Sequence, residues 1–190
     1  MMVMKKLKSI AFGLLVLLLS SNLYKAQPIT NAKFNCKSGD LIFIKDTAEH
    51  QQPKNKYNYV GIIIIENNVP MVYYAANLVT KCSVNQFINL SLHKKYTIKH
   101  LIEKELLSPE AIATMQLFAK AKLDTNYSDT SALTNTSFYN TEFIWEVYKS
   151  ATGLPLCTPK FIQKQNDDAR IANQKVVVIN DIYNSQFIEE

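Results

Sequence analysis

At 190 residues with 47% hydrophobic and 19% charged side chains, the chain suits one domain with a sizeable core. Its formal charge of +5 and isoelectric point near 9.0 invite a nucleic-acid-binding reading. That reading fails on where the charge sits. Four of the 21 basic residues (Lys5, Lys6, Lys8 and Lys25) and none of the 16 acidic ones fall within residues 1–26, leaving 17 basic against 16 acidic residues and about +1 for the remainder.

Residues 1–26 read as a secretory signal peptide. Lys5, Lys6 and Lys8 form a basic start, and Ile10 to Leu19 form a nearly unbroken apolar run. Ala26 is a suitable last residue before cleavage. The run is too short to span a bilayer, so export without stable membrane insertion is expected, to the periplasm or outside the cell. Tyr24 is large for a position two before the cut. No cysteine ends the apolar run, so no lipid anchor is expected.

Residues 27–37 read as a loose lead-in to a domain over 38–190. Ser38-Gly39-Asp40 is a turn and Leu41 to Ile44 an apolar strand. Asp46 to Asn58 is polar, contains Pro53 and reads as an exposed loop. Val60-Gly61-Ile62-Ile63-Ile64-Ile65 is continuous and β-branched, as in a strand buried on both faces. Glu66-Asn67-Asn68 supplies turn chemistry and Met71 to Ala75 the return strand of a hairpin. A short helix over Val84–Ile88 and a strand over Tyr96–Ile102 follow. Ser108-Pro109-Glu110 opens a helix with an N-cap, a first-position proline and an acid, and Ile112, Met115, Ala119 and Leu123 form its inward stripe. Asp124 to Ser137 is an irregular polar connection. Asn140 is a candidate N-cap for a second helix, with Glu142 in its first turn and Phe143, Ile144, Val147 and Ala151 as one apolar face. Gly153 and Pro155 stop it. Val176 to Ile179 is a strand candidate. Helices flanking a mostly antiparallel sheet make the class α+β.

The chemistry-bearing residues are sparse. Cys36, Cys82 and Cys157 follow no metal-ligand spacing, and they read either as three small buried side chains or as one bridge and one free thiol. His50, His93 and His100 read as ordinary surface or satisfied positions. No phosphate loop and no His/Cys/Asp cluster appears, so neither a cofactor nor a metal is expected.

Several segments resemble, in order, the NlpC-type cysteine hydrolases of the YiiX-like branch. Ser38-Gly39-Asp40-Leu41-Ile42-Phe43 is similar to the branch's opening Gly-Asp strand, and Tyr59-Val60-Gly61-Ile62 to its His-Val-Gly-Ile strand. Val72-Tyr73-Tyr74-Ala75 sits where members carry a hydrophobic pair, an acid and an alanine. Ala119 to Tyr127 resembles the helix end before a Tyr-Asp segment, with Asp124 where glycine is usual. Phe138 to Tyr148 resembles the Tyr-Cys-Ser-Glu-Leu-Val-Trp-Glu-Ala-Tyr helix, and Val178 to Ser185 a closing segment. The resemblance implies a circularly permuted papain-like fold and cysteine peptidase or amidase ancestry.

It also implies a missing triad. The cysteine position is Asn140, the histidine position Tyr59 and the third position Tyr74. An amide has no anionic form to attack a carbonyl, and tyrosine, with a reference pKa of about 10, is a poor base near neutrality. Thr141 is a hydroxyl nucleophile candidate without an evident base. The expectation is an exported pseudoenzyme holding a peptide, cell-wall fragment or acyl-amide ligand in a cleft lined by Tyr59, Tyr73, Tyr74, Tyr139, Asn140 and Thr141. Two alternatives stand beside it: a hydrolase using a rearranged nucleophile, and a structural or interaction domain of an envelope assembly.

Overall fold

The computed structural model describes residues 34–46, 57, 59–76, 78–125, 140–161 and 175–190. The expected signal peptide, most of the polar loop after Asp46, most of the connection before Asn140, and the residues His50 and Tyr139 lie outside that set.

The continuous apolar run after Tyr59 is the central strand of the structure. Strands β1 (Leu41–Asp46), β2 (Tyr59–Glu66), β3 (Val69–Ala75), β4 (Val79–Ser83), β5 (Ser91–Leu101) and β8 (Ile188–Glu189) form a six-stranded sheet in the order β4-β3-β2-β1-β5-β8. Every pairing is antiparallel. Asn67 and Asn68, at φ 47° and 70°, make the left-handed two-residue turn between β2 and β3. Helix α1 (Val84–Asn89) starts from a Ser83/Gln86 capping box. Helix α2 (Pro109–Ala121) starts from Ser108, whose hydroxyl accepts from the Ala111 amide at 3.2 Å. Helix α3 (Asn140–Thr152) ends at Gly153, at φ 72°. A small β6 (Lys160–Phe161) and β7 (Lys175–Val176) pair together, and α4 (Ile179–Tyr183) follows.

Alternation along β1 and β2 divides the interior in two. Leu41, Phe43, Val60, Ile62 and Ile64 face α2 and α3, where they meet Met115, Ala119, Phe143, Ile144, Val147 and Tyr148. Ile42, Ile44 and Ile63 face the other way, onto Val84, Phe87 and Ile88 of α1. Burial on both faces is why β2 needs an unbroken apolar run rather than a polar alternation. Gly61 allows α1 to sit close: a Cβ there would lie 2.3 Å from Val72 Cγ1 and 3.3 Å from Phe87 Cζ.

Three expectations are corrected. Val176 to Ile179 is not one strand, because pairing to β6 ends at Val176 and Ile179 opens α4. The lead-in is not loose at its end: Cys36 is fully buried and Phe34 packs beside it on the α1 side. The strand expected over Tyr96–Ile102 begins earlier, at Ser91, and carries left-handed His93 and Lys94 where its register against β1 shifts.

Candidate functional site

Helix α3 directs its first residues into the interior, and Asn140, Thr141 and Glu142 are all buried. The ladder between β2 and β3 runs from Glu66↔Val69 to Ile62↔Tyr73 and stops there. Two residues further along, in the same register, Val60 would stand opposite Ala75, and the side chain of Asn140 bonds to the backbone of both. Its Oδ1 accepts from the Val60 amide at 2.8 Å, and its Nδ2 donates to the Val60 carbonyl at 2.8 Å and to the Ala75 carbonyl at 3.3 Å. The side-chain amide thus stands in for a peptide group and extends the ladder. Asn140 was expected to cap its own helix. Instead its side chain bridges two strands, because buried backbone groups where the strands part need partners as much as a helix end does.

Thr141, the candidate hydroxyl nucleophile, is equally committed. Its Oγ1 donates to the Val177 carbonyl at 2.6 Å, in a buried position. Tyr73, expected to wall the cleft, is fully buried on the α3 side of the sheet, and its hydroxyl donates to Glu66 Oε1 at 2.6 Å. Tyr59 and Tyr74 do come together. Both are half-buried and pack against the α1-side core, with ring centroids 6.2 Å apart, and Tyr74 meets Phe87 at 4.9 Å. The two tyrosine rings therefore lie on the α1 side, while Asn140 reaches the backbone beside Tyr59 from the α3 side.

No cysteine is poised to act as a nucleophile. All three are free. Burial pushes each thiol up to about 11, helped by the charge of Asp40 at Cys36 and of Asp181 at Cys157. Near neutrality such groups are almost wholly protonated.

The opposite end of the sheet carries a polar pair. Asp40 is buried before β1, and its Oδ1 lies 2.9 Å from Nδ1 of the partly exposed His100 in β5. Its Oδ2 accepts from the Lys37 amide at 2.6 Å. Burial raises the Asp40 carboxyl above its ordinary range, while the hydrogen bonds from His100 and Lys37 pull it back. The pair borders a groove of about 860 Å³ between the β2–β3 turn and the start of α2. Sequence reasoning treated His100 as an ordinary position. The signal was in the register: Leu41 pairs with Lys99, so one step back Asp40 faces His100. Finding it required knowing that β1 and β5 are neighbours. His93 is exposed, and nothing in the structure sets it apart.

The order of elements, with the helix N-terminus set against the central hairpin, can be compared with known proteins. Residues 35–189 match the model of the permuted papain-like amidase enzymes, the YaeF/YiiX or C92 family. The chain belongs to that family. The crystal structure of metalloprotein YiiX from Escherichia coli O157:H7 superposes with a TM-score of 0.74 at 18% identity, covering 80% of this chain and 94% of that one. It shares the fold. No curated protein matches by sequence. The family's permuted papain-like fold agrees with the α+β class and with the resemblance read from the motifs. The word metalloprotein belongs to that relative. Among the described residues of this chain no three His, Cys, Asp or Glu side chains gather, and Asp40 and His100 make only a pair, so they do not fit a resident metal.

Proposed function

We propose that this chain is a non-catalytic member of the permuted papain-like amidase family, exported and adapted to binding. The observation that carries the reading is the Asn140 side chain. It stands at the helix N-terminus, where the motif resemblance places the family's nucleophile, and its hydrogen bonds are structural ones to Val60 and Ala75. An amide so fastened supplies neither a negative charge nor a mobile group for attack on a carbonyl. The rearranged-nucleophile alternative would need Thr141 or a cysteine, and the first donates to Val177 while the others are held protonated by burial.

Binding in the ancestral cleft falls to Tyr59 and Tyr74. These two half-exposed rings offer an aromatic edge to a peptide, a cell-wall fragment or an acyl amide. Tyr73, Asn140 and Thr141 act behind that edge as supports. Export rests on the basic start and apolar run of residues 1–26.

The test combines a thiol-reactive probe with a panel of peptide and acyl-amide substrates. No cysteine should label selectively at neutral pH and no substrate should turn over. Selective labelling of one thiol, with turnover lost on its alkylation, overturns the reading. For export, intact-mass measurement of the protein outside the cytoplasm should show a species cut near Ala26, and a mature species retaining residues 1–26 refutes it.

A further inference from the structure

The flanks of the six-stranded sheet differ in how their outward backbone groups are spent. On the β4 flank the Val79 amide donates to the Thr125 carbonyl at 3.1 Å, and the Val79 carbonyl accepts from the Asp124 amide at 2.9 Å. The Ser83 amide donates to Gln86 Oε1 at 2.9 Å. On the other flank β8 covers β5 only at His100 and Leu101. The Ile102 amide donates to the Phe187 carbonyl at 2.9 Å, so Ile102 and, two residues back, His100 turn their backbone groups toward β8. The same alternation turns the N–H and C=O of Ile98 and Tyr96 outward and leaves those of Thr97 and Lys99 for β1. Among the described residues no strand pairs with β5 there. Tyr96 is exposed and Ile98 partly so. The regular edge ends at Lys94 and His93, both left-handed.

The charge beside this edge has one sign. β5 holds three lysines and two histidines and no acid. Lys94 and Lys95 are exposed, and neither they nor Lys99 take part in an ion pair among the described residues. Acids lie only at the two ends of the stretch. Asp46 pairs with Ser91 and Glu189 with His100, while Glu190 accepts from the Tyr183 hydroxyl at 2.7 Å. A second copy does not suit the edge, because antiparallel pairing centred on Thr97 would set Lys95 opposite the other copy's Lys99.

We propose that the open edge of β5 takes up an extended acidic segment of a partner protein as an added strand, antiparallel to β5. Its backbone bonds to Ile98 and Tyr96, and its acids lie against Lys95 and Lys94. Register sets the pattern: β-branched residues opposite Ile98, Thr97 and Tyr96, then two acids.

NMR titration of the full chain with the blocked peptide Val-Thr-Val-Glu-Glu tests the proposal. In the free protein the Tyr96 and Ile98 amides should exchange with solvent faster than those of Thr97 and Lys99. The peptide should shift both in a saturable way and slow their exchange. The same peptide N-methylated at both valines, and Val-Thr-Val-Lys-Lys, should each bind about tenfold more weakly. Lys95→Glu changes an exposed side chain; it should weaken the acidic peptide about tenfold and strengthen the lysine peptide. Tyr59→Ala should leave binding within about twofold. Slow exchange at Tyr96 and Ile98 before peptide is added shows the edge already covered and overturns the proposal. So does the lack of a saturable shift, or equal binding by the N-methylated peptide. Shifts confined to the surroundings of Tyr59 and Tyr74 overturn it and assign the peptide to the ancestral cleft.

Discussion

The two ends of β2 treat polar groups in opposite ways. At the Val60 end, Asn140 and Thr141 are buried, and their side chains are consumed by backbone groups of Val60, Ala75 and Val177. At the Ile65 end, Asp40 is buried but its Oδ1 holds Nδ1 of a partly exposed histidine that lines an open groove. Helix α3 serves both ends, since Tyr148 near its middle donates to the Gly39 carbonyl next to Asp40. The contrast teaches that a buried polar residue at a helix N-terminus is by itself no evidence of chemistry. What decides is whether its hydrogen-bonding capacity is already spent.

The largest effect should come from unlocking the sealed end. Asn140→Ala strips partners from the Val60 amide and from the Val60 and Ala75 carbonyls, and should destabilise the domain by about 2–4 kcal/mol in urea denaturation. Asn140→Cys should cost nearly as much, because a thiol makes none of these bonds well. A loss below about 1 kcal/mol in Asn140→Ala would reduce the side chain to an ordinary helix cap.

Next comes the Glu66 carboxylate, where α2 is fastened to the hairpin. Burial opposes its charge, but bonds from Lys81, Tyr73, Gln116 and Lys120 outweigh that and hold it down at about 2. A folded pKa below the unfolded one means this stability is fully present above about pH 4.5 and fades as pH falls toward 2. Glu66→Gln should remove that acid-sensitive component and cost about 1–2 kcal/mol at neutral pH, as comparison of denaturation midpoints at pH 7 and pH 3 would show.

Thr141→Val should cost about 1 kcal/mol, the worth of its bond to the Val177 carbonyl. It should change no amide-hydrolysis rate above background. The smallest effect belongs to the exposed tyrosine edge: Tyr59→Ala should cost about 0.5–1.5 kcal/mol through the lost ring contact with Tyr74. If Tyr59→Ala instead proves as damaging as Asn140→Ala, the distinction between a load at the α3 face and an edge at the α1 face collapses.

Most of the fold was legible because its elements announce themselves locally. Gly39-Asp40, the β2 run, the Asn67-Asn68 turn and the Ser108-Pro109 helix start each follow from spacing or turn chemistry. β4 was missed because Val79-Thr80-Lys81-Cys82-Ser83 alternates weakly and gains its pairing from β3. β8 was missed because two residues carry no period. At the candidate site, Tyr59, Tyr74 and Asn140 were visible as residues, but their tasks were not. Asn140 as a bridge depends on where β2 and β3 part company, and the Asp40–His100 pair depends on a contact across 60 residues. Both are tertiary facts, and side-chain identity alone cannot report them.

The Asn140 bridge also bears on the order of assembly. It joins positions 80 residues apart, whereas β2, β3, β4 and α1 follow one another directly along the chain. Closing the longer loop costs more chain entropy, so the meander is expected to form early in folding and the bridge to close late. An interaction absent from the transition state governs how fast the native state is left, not how fast it is reached. Loosening Asn140 should therefore steepen escape rather than slow arrival: in a stopped-flow chevron for Asn140→Ala, the unfolding limb should rise while the refolding limb stays near that of the parent. The bridge, in these terms, is a latch on lifetime.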